Sequence, residues 1–268
     1  MRRRTFLSAA GLAAASAAGI GSDAKAEKKA DDPRRWVEIR TFWAPDASIR
    51  GELLDGLDKF VVKNRKSIGF ERVGLFTVNE ALHEGDASFD PRWKNAVILV
   101  ADSPSLEKMA GVHDDILEKV DEESLPEFER DFNLLDNFDV SLHRTFPHCP
   151  LVDIPNKSPD RVLQLRRYYS PTLERNRAKR EMFDTRGELN LFRECGMHPV
   201  FFSETVFGNF MPNVTYMLSF ENNDKRVAAW KEFVDSPKWK VLSSHPDFAN
   251  TATKILNLFL TPAPSSDI

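Results

Sequence analysis

Val37-Glu38-Ile39-Arg40-Thr41-Phe42-Trp43 and Leu163-Gln164-Leu165-Arg166-Arg167-Tyr168-Tyr169 decide the fold, because the second stretch repeats the first. Both alternate between two faces and are rich in β-branched and aromatic residues, so both are predicted to be strands. Each runs into a proline-containing turn, at Pro45 or Pro171, and then into an amphipathic helix. Leu53, Leu57, Phe60, Val61 and Ile68 form the apolar face of the first helix; Ala178, Met182, Leu189 and Phe192 form that of the second. Each helix is expected to stop at a glycine, Gly69 or Gly196, where a left-handed C-cap belongs. Aligning Arg40 on Arg166, or Gly69 on Gly196, gives offsets that agree to within one residue.

The repeat continues outward. A second strand follows each glycine, over 70–78 and 200–207, and a third follows over 96–100 and 215–220. Helices opened by Ser103-Pro104 and by Asp224 come next. Leu106, Met109, His113, Leu117 and Val120 share the apolar face of the first; Val227, Trp230 and Phe233 share that of the second. A last strand closes each unit, near 140–142 and 255–260, and 121–137 is expected to hold an extra helix. The order β-α-β-β-α-β, twice, is the ferredoxin-like split unit. Such a unit covers one sheet face with helices and leaves the other bare. Two in tandem can bury those bare faces together, so the expected class is α+β: tandem ferredoxin-like repeats forming an intrachain α+β barrel. The expected domains are 35–146 and 161–262, joined by a linker over 147–160 that carries Pro147, Pro150, Pro155 and Pro159. A monomer with an internal pseudo-dimer and a homo-oligomer both fit this plan.

Residues 1–26 are expected to be an address rather than part of the fold. Arg2-Arg3-Arg4 precedes Phe6-Leu7 and a weakly apolar run to Ile20, and Ala24-Lys25-Ala26 is a small-x-small cleavage site. The run is shorter than the ~20 residues a membrane span needs. The paired arginines and low hydrophobicity predict a twin-arginine-type export signal cut near Ala26, and hence a periplasmic or otherwise exported protein. A mitochondrial transit peptide is the rival, disfavoured because the three arginines sit together ahead of one apolar block. No later apolar run is long enough to span a membrane.

The whole chain of 268 residues balances 37 Lys and Arg against 41 Asp and Glu, a net charge of −4. That near-balance offers no field for gripping nucleic acid. Two cysteines, Cys149 and Cys195, are too few for a disulfide scaffold, and whether they pair stays open. No G-x-S-x-G, phosphate loop or dinucleotide fingerprint occurs after the export segment, so hydrolase, kinase and nicotinamide chemistry lack their usual signatures.

The second half carries a recognisable set of motifs. Glu181-Met182-Phe183, Gly187-Glu188 and Phe192-Arg193 precede Gly196-x-x-Pro199-Val200-Phe201-Phe202. Glu204-Thr205-x-x-Gly208, Met211-Pro212-Asn213-x-Thr215-Tyr216-Met217-Leu218 and Ala229-Trp230-x-x-Phe233-x-x-x-Pro237-x-Trp239 follow. Together, from Leu163 to Pro262, they resemble the NIPSNAP family, in particular its exported bacterial tandem-domain members. The resemblance implies a fold of the dimeric α+β barrel superfamily, which includes small monooxygenases, isomerases and haem enzymes. It implies no single activity.

Candidate site residues follow from strand alternation. Glu38, Arg40 and Phe42 share one face of the first strand, and Gln164, Arg166 and Tyr168 share the matching face of its repeat. The opposite faces, with Val37 and Ile39 or Leu163 and Leu165, are more apolar and are expected to lie under the helices. The polar trios should then look into the barrel. A buried arginine needs a partner. Glu204 is the best carboxylate for Arg166, and the plainer reading is an Arg–Glu pair that only holds strand register. The functional reading is an anion-accepting pocket of Arg40, Arg166, Tyr168, Glu204 and His198, with His198 at the barrel mouth and Tyr168 and Glu204 handling protons. No His or Cys spacing makes a metal site, and no cofactor is called for. Haem held by His113 or His198 is one alternative; a cofactor-independent oxygenase or isomerase is another. A small acidic ligand or a protein is the expected partner.

Overall fold

Alternating apolar stretches build eight strands, and every neighbouring pair of them is antiparallel. The computed structural model describes residues 32–110 and 137–268. Residues 1–26, expected to be an export signal, His113, Leu117, Val120 and the extra helix expected within 121–137 lie outside the described residues, apart from Asn137.

The first half runs β1 (Trp36–Trp43), α1 (Ala47–Leu57), β2 (Arg72–Val78), β3 (Ala96–Ser103), α2 (Leu106–Ala110) and β4 (Asn137–Thr145). The second runs β5 (Val162–Tyr169), α3 (Leu173–Asp184), α4 (Glu188–Glu194), β6 (His198–Phe207), β7 (Asn213–Phe220), α5 (Asn223–Asp235), α6 (Pro237–Ser244) and β8 (Lys254–Pro262). Helix starts follow local chemistry. Asp46, Thr172 and Asn222 sit in extended backbone and accept hydrogen bonds from the free amides of Ile49, Arg175 and Lys225. The single helix expected before Gly196 is two, because Gly187 takes a left-handed conformation (φ 97°) and restarts the chain as α4. Gly196 does end α4 (φ 77°), and the Met197 amide bonds back to the Phe192 carbonyl at 2.9 Å.

Strand order around the sheet is β1-β3-β2-β8-β5-β7-β6-β4, and β4 returns to β1, so the sheet is a closed barrel. Each half supplies four strands in the ferredoxin-like order, and the halves join at β2–β8 and β4–β6. The chain is therefore an α+β fold whose barrel closes within one polypeptide.

Three apolar layers result. Phe42, Leu75, Val97 and Leu99 pack under α1 in the first half. Tyr168, Phe202, Tyr216 and Leu218 pack under α3, α4 and α5 in the second. Between the sheets, Ile39, Phe76, Leu165, Phe201, Met217 and Leu258 come from both halves and fill the barrel. This reverses the expected faces. The apolar set of β1 and β5 looks inward, and Glu38, Arg40, Gln164, Arg166 and Tyr168 lie under the helices. The interior of an eight-stranded barrel is either filled by side chains or holds one small ligand, and the more apolar strand faces of both halves meet there. The polar trios lie outside, with their stems on apolar surface beneath the helices.

Candidate functional site

The barrel core is solid at one end and hollow at the other. Near the start of β1, Asp102 is fully buried and accepts a hydrogen bond from Arg35 at 2.7 Å. Ile268 packs into the same interior. At the opposite end a cavity of about 620 Å³ opens, lined by Thr41 and Trp43 of β1, Arg167 and Tyr169 of β5, Leu256 and Leu258 of β8, and residues of the connecting loops.

Register assembles the polar group behind this cavity. Arg167 lies across from Thr215, Tyr169 across from Asn213, and His143 across from Thr205. A shift of register in β4, between Leu142 and His143, sets the last pairing. The result is a directional circuit of buried side chains. Arg167 donates through Nη2 to Ser141 Oγ at 3.4 Å and through Nε to Thr215 Oγ1 at 3.0 Å. Ser141 meets His143 Nε2 at 2.8 Å, and His143 Nδ1 meets Thr205 Oγ1 at 3.1 Å. Thr205 and Thr215 both donate to Asn213 Oδ1, while Asn213 Nδ2 donates to the Phe210 carbonyl at 3.2 Å. Because Thr205 spends its proton on Asn213, it accepts from His143, which places the imidazole proton on Nδ1 and leaves Nε2 to accept from Ser141. Burial, and then the nearby Arg167 charge, hold His143 well below the usual histidine range, so it is neutral.

Arg167 is buried and, among the described residues, has no carboxylate within ion-pair distance. Hydroxyls hold its orientation and leave its charge uncompensated beside the cavity. The carboxylates lining the same space are engaged elsewhere: Asp90 with Arg92, Asp86 with Ser88, and Asp139 with Asn209. Arg92, paired with Asp90, and Lys254 are the other cations of the lining. The arrangement can accept an organic anion and fix its direction. Its neutral histidine is locked behind the arginine, where it positions rather than titrates.

None of the five sequence-predicted site residues lines this cavity. Arg40 bonds to Glu38 on the helix-covered side of β1. Arg166 and Tyr168 do come together, with Arg166 Nη2 donating to the Tyr168 hydroxyl at 3.2 Å, but under the helices. There Arg166 lies over the Trp230 ring, and Tyr216 donates to Tyr168 at 3.0 Å. The nearest salt bridge in that layer is Lys179–Glu188 at 3.0 Å, both buried. Burial raises Glu188, and Lys179 and Arg166 pull it back down. Glu204 pairs with Arg180 of α3, not Arg166. His198 begins β6 at the solid end of the barrel, 3.4 Å from Asp153, and offers nothing to the cavity. Burial lowers its pKa, and Asp153 opposes that shift. Cys149 and Cys195 are free, buried thiols in the second-half core; burial pushes Cys149 up to about 11. The residues that sequence reading passed over are Arg167, His143, Ser141, Thr205, Asn213 and Thr215. Each face of β5 carries one arginine, Arg166 beside Gln164 and Tyr168 and Arg167 beside Leu163 and Leu165, so the strand itself does not single out Arg167.

Similarity to known proteins agrees with this architecture. The family model for NIPSNAP matches residues 163–267. No curated protein matches the chain. Among solved structures, an anthrone oxidase-like protein superposes with a TM-score of 0.55 at 11% identity, over 86% of this chain and 92% of its own. A monooxygenase-like protein from Lactobacillus acidophilus NCFM gives 0.55 at 8% identity, over 85% and 94%. A variant chlorite dismutase from Candidatus Nitrospira defluvii gives 0.50 at 10%, over 86% and 92%. At these identities the likeness is one of fold. Residues 163–267 match the NIPSNAP model, and the closed barrel they complete is the fold these structures share.

Proposed function

We propose that this protein is a small-molecule-binding barrel that takes an organic anion into the cavity at Arg167. The observation that carries the reading is a buried guanidinium, held by Ser141 and Thr215 instead of a carboxylate, facing a cavity of about 620 Å³. That size lies within the range of pockets that enclose small organic ligands, about 300–1,000 Å³. An anion there would restore the missing counter-charge through charge-assisted hydrogen bonds to a buried guanidinium. In the same proposal the ligand is met outside the cytoplasm, as the twin-arginine-type segment over 1–26 suggests.

The test is native mass spectrometry and calorimetry with a panel of small carboxylates. Arg167→Met is expected to weaken acid binding by at least about tenfold while leaving neutral analogues unchanged, since hydrogen bonds to a charged group are worth about 1.5–3 kcal/mol. Equal affinity of the two proteins for every acid would refute the reading. Should Arg167→Met fold poorly, Arg167→Lys retains the charge but loses the fork that reaches both hydroxyls, and it should bind acids with intermediate affinity.

A further inference from the structure

We infer that the anion this cavity accepts is a planar aromatic acid, a carboxylate carried on an aryl ring; this rests on the anion-binding reading and narrows it. Six of the residues lining the cavity are aromatic: Trp43, Phe89, Trp93, Phe138, Tyr169 and Phe210. They come from separate parts of the chain, so their convergence is a property of the folded barrel end and not of one aromatic-rich segment. Trp43 and Trp93 meet with ring centroids 5.7 Å apart and tilted, and Phe210 stands edge-on to Tyr169 at 6.2 Å. Trp43, Phe89 and Trp93 also pack onto the apolar core of the barrel, which gives the aromatic wall a rigid backing.

Two further features point to an occupant. The Trp43 indole N–H is buried and has no hydrogen-bond acceptor among the described residues. A buried donor without a partner is costly, so the Trp43 wall of the cavity carries an unmet hydrogen bond. Phe210 is 75% exposed, with Met211 beside it also exposed, although both line the cavity. A large aromatic side chain left this open at a mouth gains contact when a ring enters below it. The cavity therefore divides its work: Arg167 takes the charge, and the ring edges and faces around it favour an aryl body over an alkyl one, since aromatic pairs add to area burial.

The experiment is calorimetric titration of the full-length protein with 2-naphthoate, hexanoate and the neutral 2-naphthalenemethanol. The expected order is naphthoate tightest, by about tenfold or more over each of the others, and Phe210→Ser, an exposed position that cannot upset the core, should cut that preference for naphthoate over hexanoate severalfold. Hexanoate binding as tightly as naphthoate would overturn the aromatic preference and leave the anion reading standing. Naphthalenemethanol binding as tightly as naphthoate, in a protein where Arg167→Met changes nothing, would overturn the anion reading and this inference with it.

Discussion

A guanidinium held only by hydroxyls keeps its charge for a visitor, and Arg167 is such a group. Its two threads of donors, through Ser141 and through Thr215, converge on Asn213 Oδ1, so the circuit defines one orientation for each side chain in it. His143 completes the circuit only as the neutral species, which has a consequence for acid stability. In the folded protein burial and Arg167 hold its pKa well below 6.5, whereas in the unfolded chain it takes up a proton near that value. As pH falls through about 6.5 the unfolded state gains a proton the folded one refuses, so stability present above that pH is lost below it. His83 and His198, also lowered chiefly by burial, act in the same direction. Denaturant titrations at stepped pH from 7.5 to 5.0 should show a falling midpoint, with each such histidine contributing at most about 1.4 kcal/mol per pH unit. His143→Gln should flatten that slope; an unchanged slope would remove His143 from the account. At this scale the sequence was only half legible. Alternation correctly separates Arg166 from Arg167, yet both faces of β5 carry an arginine, and nothing local says which of the two goes inside.

Between residues and the whole, the β6–β7 hairpin and the β4 junction shape the cavity. Gly208 lies past the end of β6 with φ 145°, and a Cβ there would stand 2.7 Å from Ser141 Cβ. The glycine thus lets the hairpin approach β4 closely enough to cover Ser141, the first hydroxyl of the circuit. Gly208→Ala is expected to destabilise the protein by about 1–3 kcal/mol and to weaken carboxylate binding, because both backbone strain and a displaced Ser141 result. Gly85→Ala is the control: it too has a positive φ (77°), but a Cβ there meets nothing within 4 Å. Its cost should be the smaller, with binding unchanged. Chemical denaturation with a binding isotherm for each variant checks both. The glycines that end helices or break them were partly readable, since Gly196 follows an apolar helical period and precedes a strand. Gly187 was not read as a break, because the apolar spacing of Met182, Leu189 and Phe192 runs through it undisturbed.

For the whole molecule, the proposed order of events is folding, export and then ligand capture. If residues 1–26 act as a twin-arginine-type signal, replacing both Arg3 and Arg4 by Lys should retain the protein in the cytoplasm at its full length. The parent should appear in the periplasm with a mass that begins at Glu27, as read by fractionation and intact mass spectrometry. Recovery of the paired-Lys variant in the periplasm would point to another route. No helix among the described residues is long and apolar enough to cross a membrane. The barrel itself was legible because repetition is a property of the chain: two copies of one element order, each with a bare sheet face, have few ways to bury both. Strand identity, the proline turns at Pro45 and Pro171 that precede helices, and the NIPSNAP motifs of the second half are likewise local or periodic signals that survive in a linear string, whereas the helix expected to open at Asp224 is capped two residues earlier, by Asn222. Which face of β1 and β5 looks inward was decided by closure, because joining the two half-sheets buries their more apolar faces against each other and leaves the polar trios beneath the helices. The site was decided by register: Arg167, Thr215, Asn213, Thr205, His143 and Ser141 meet only because β4, β5, β6 and β7 lie side by side at particular offsets, and no spacing along the chain encodes a cross-strand pair.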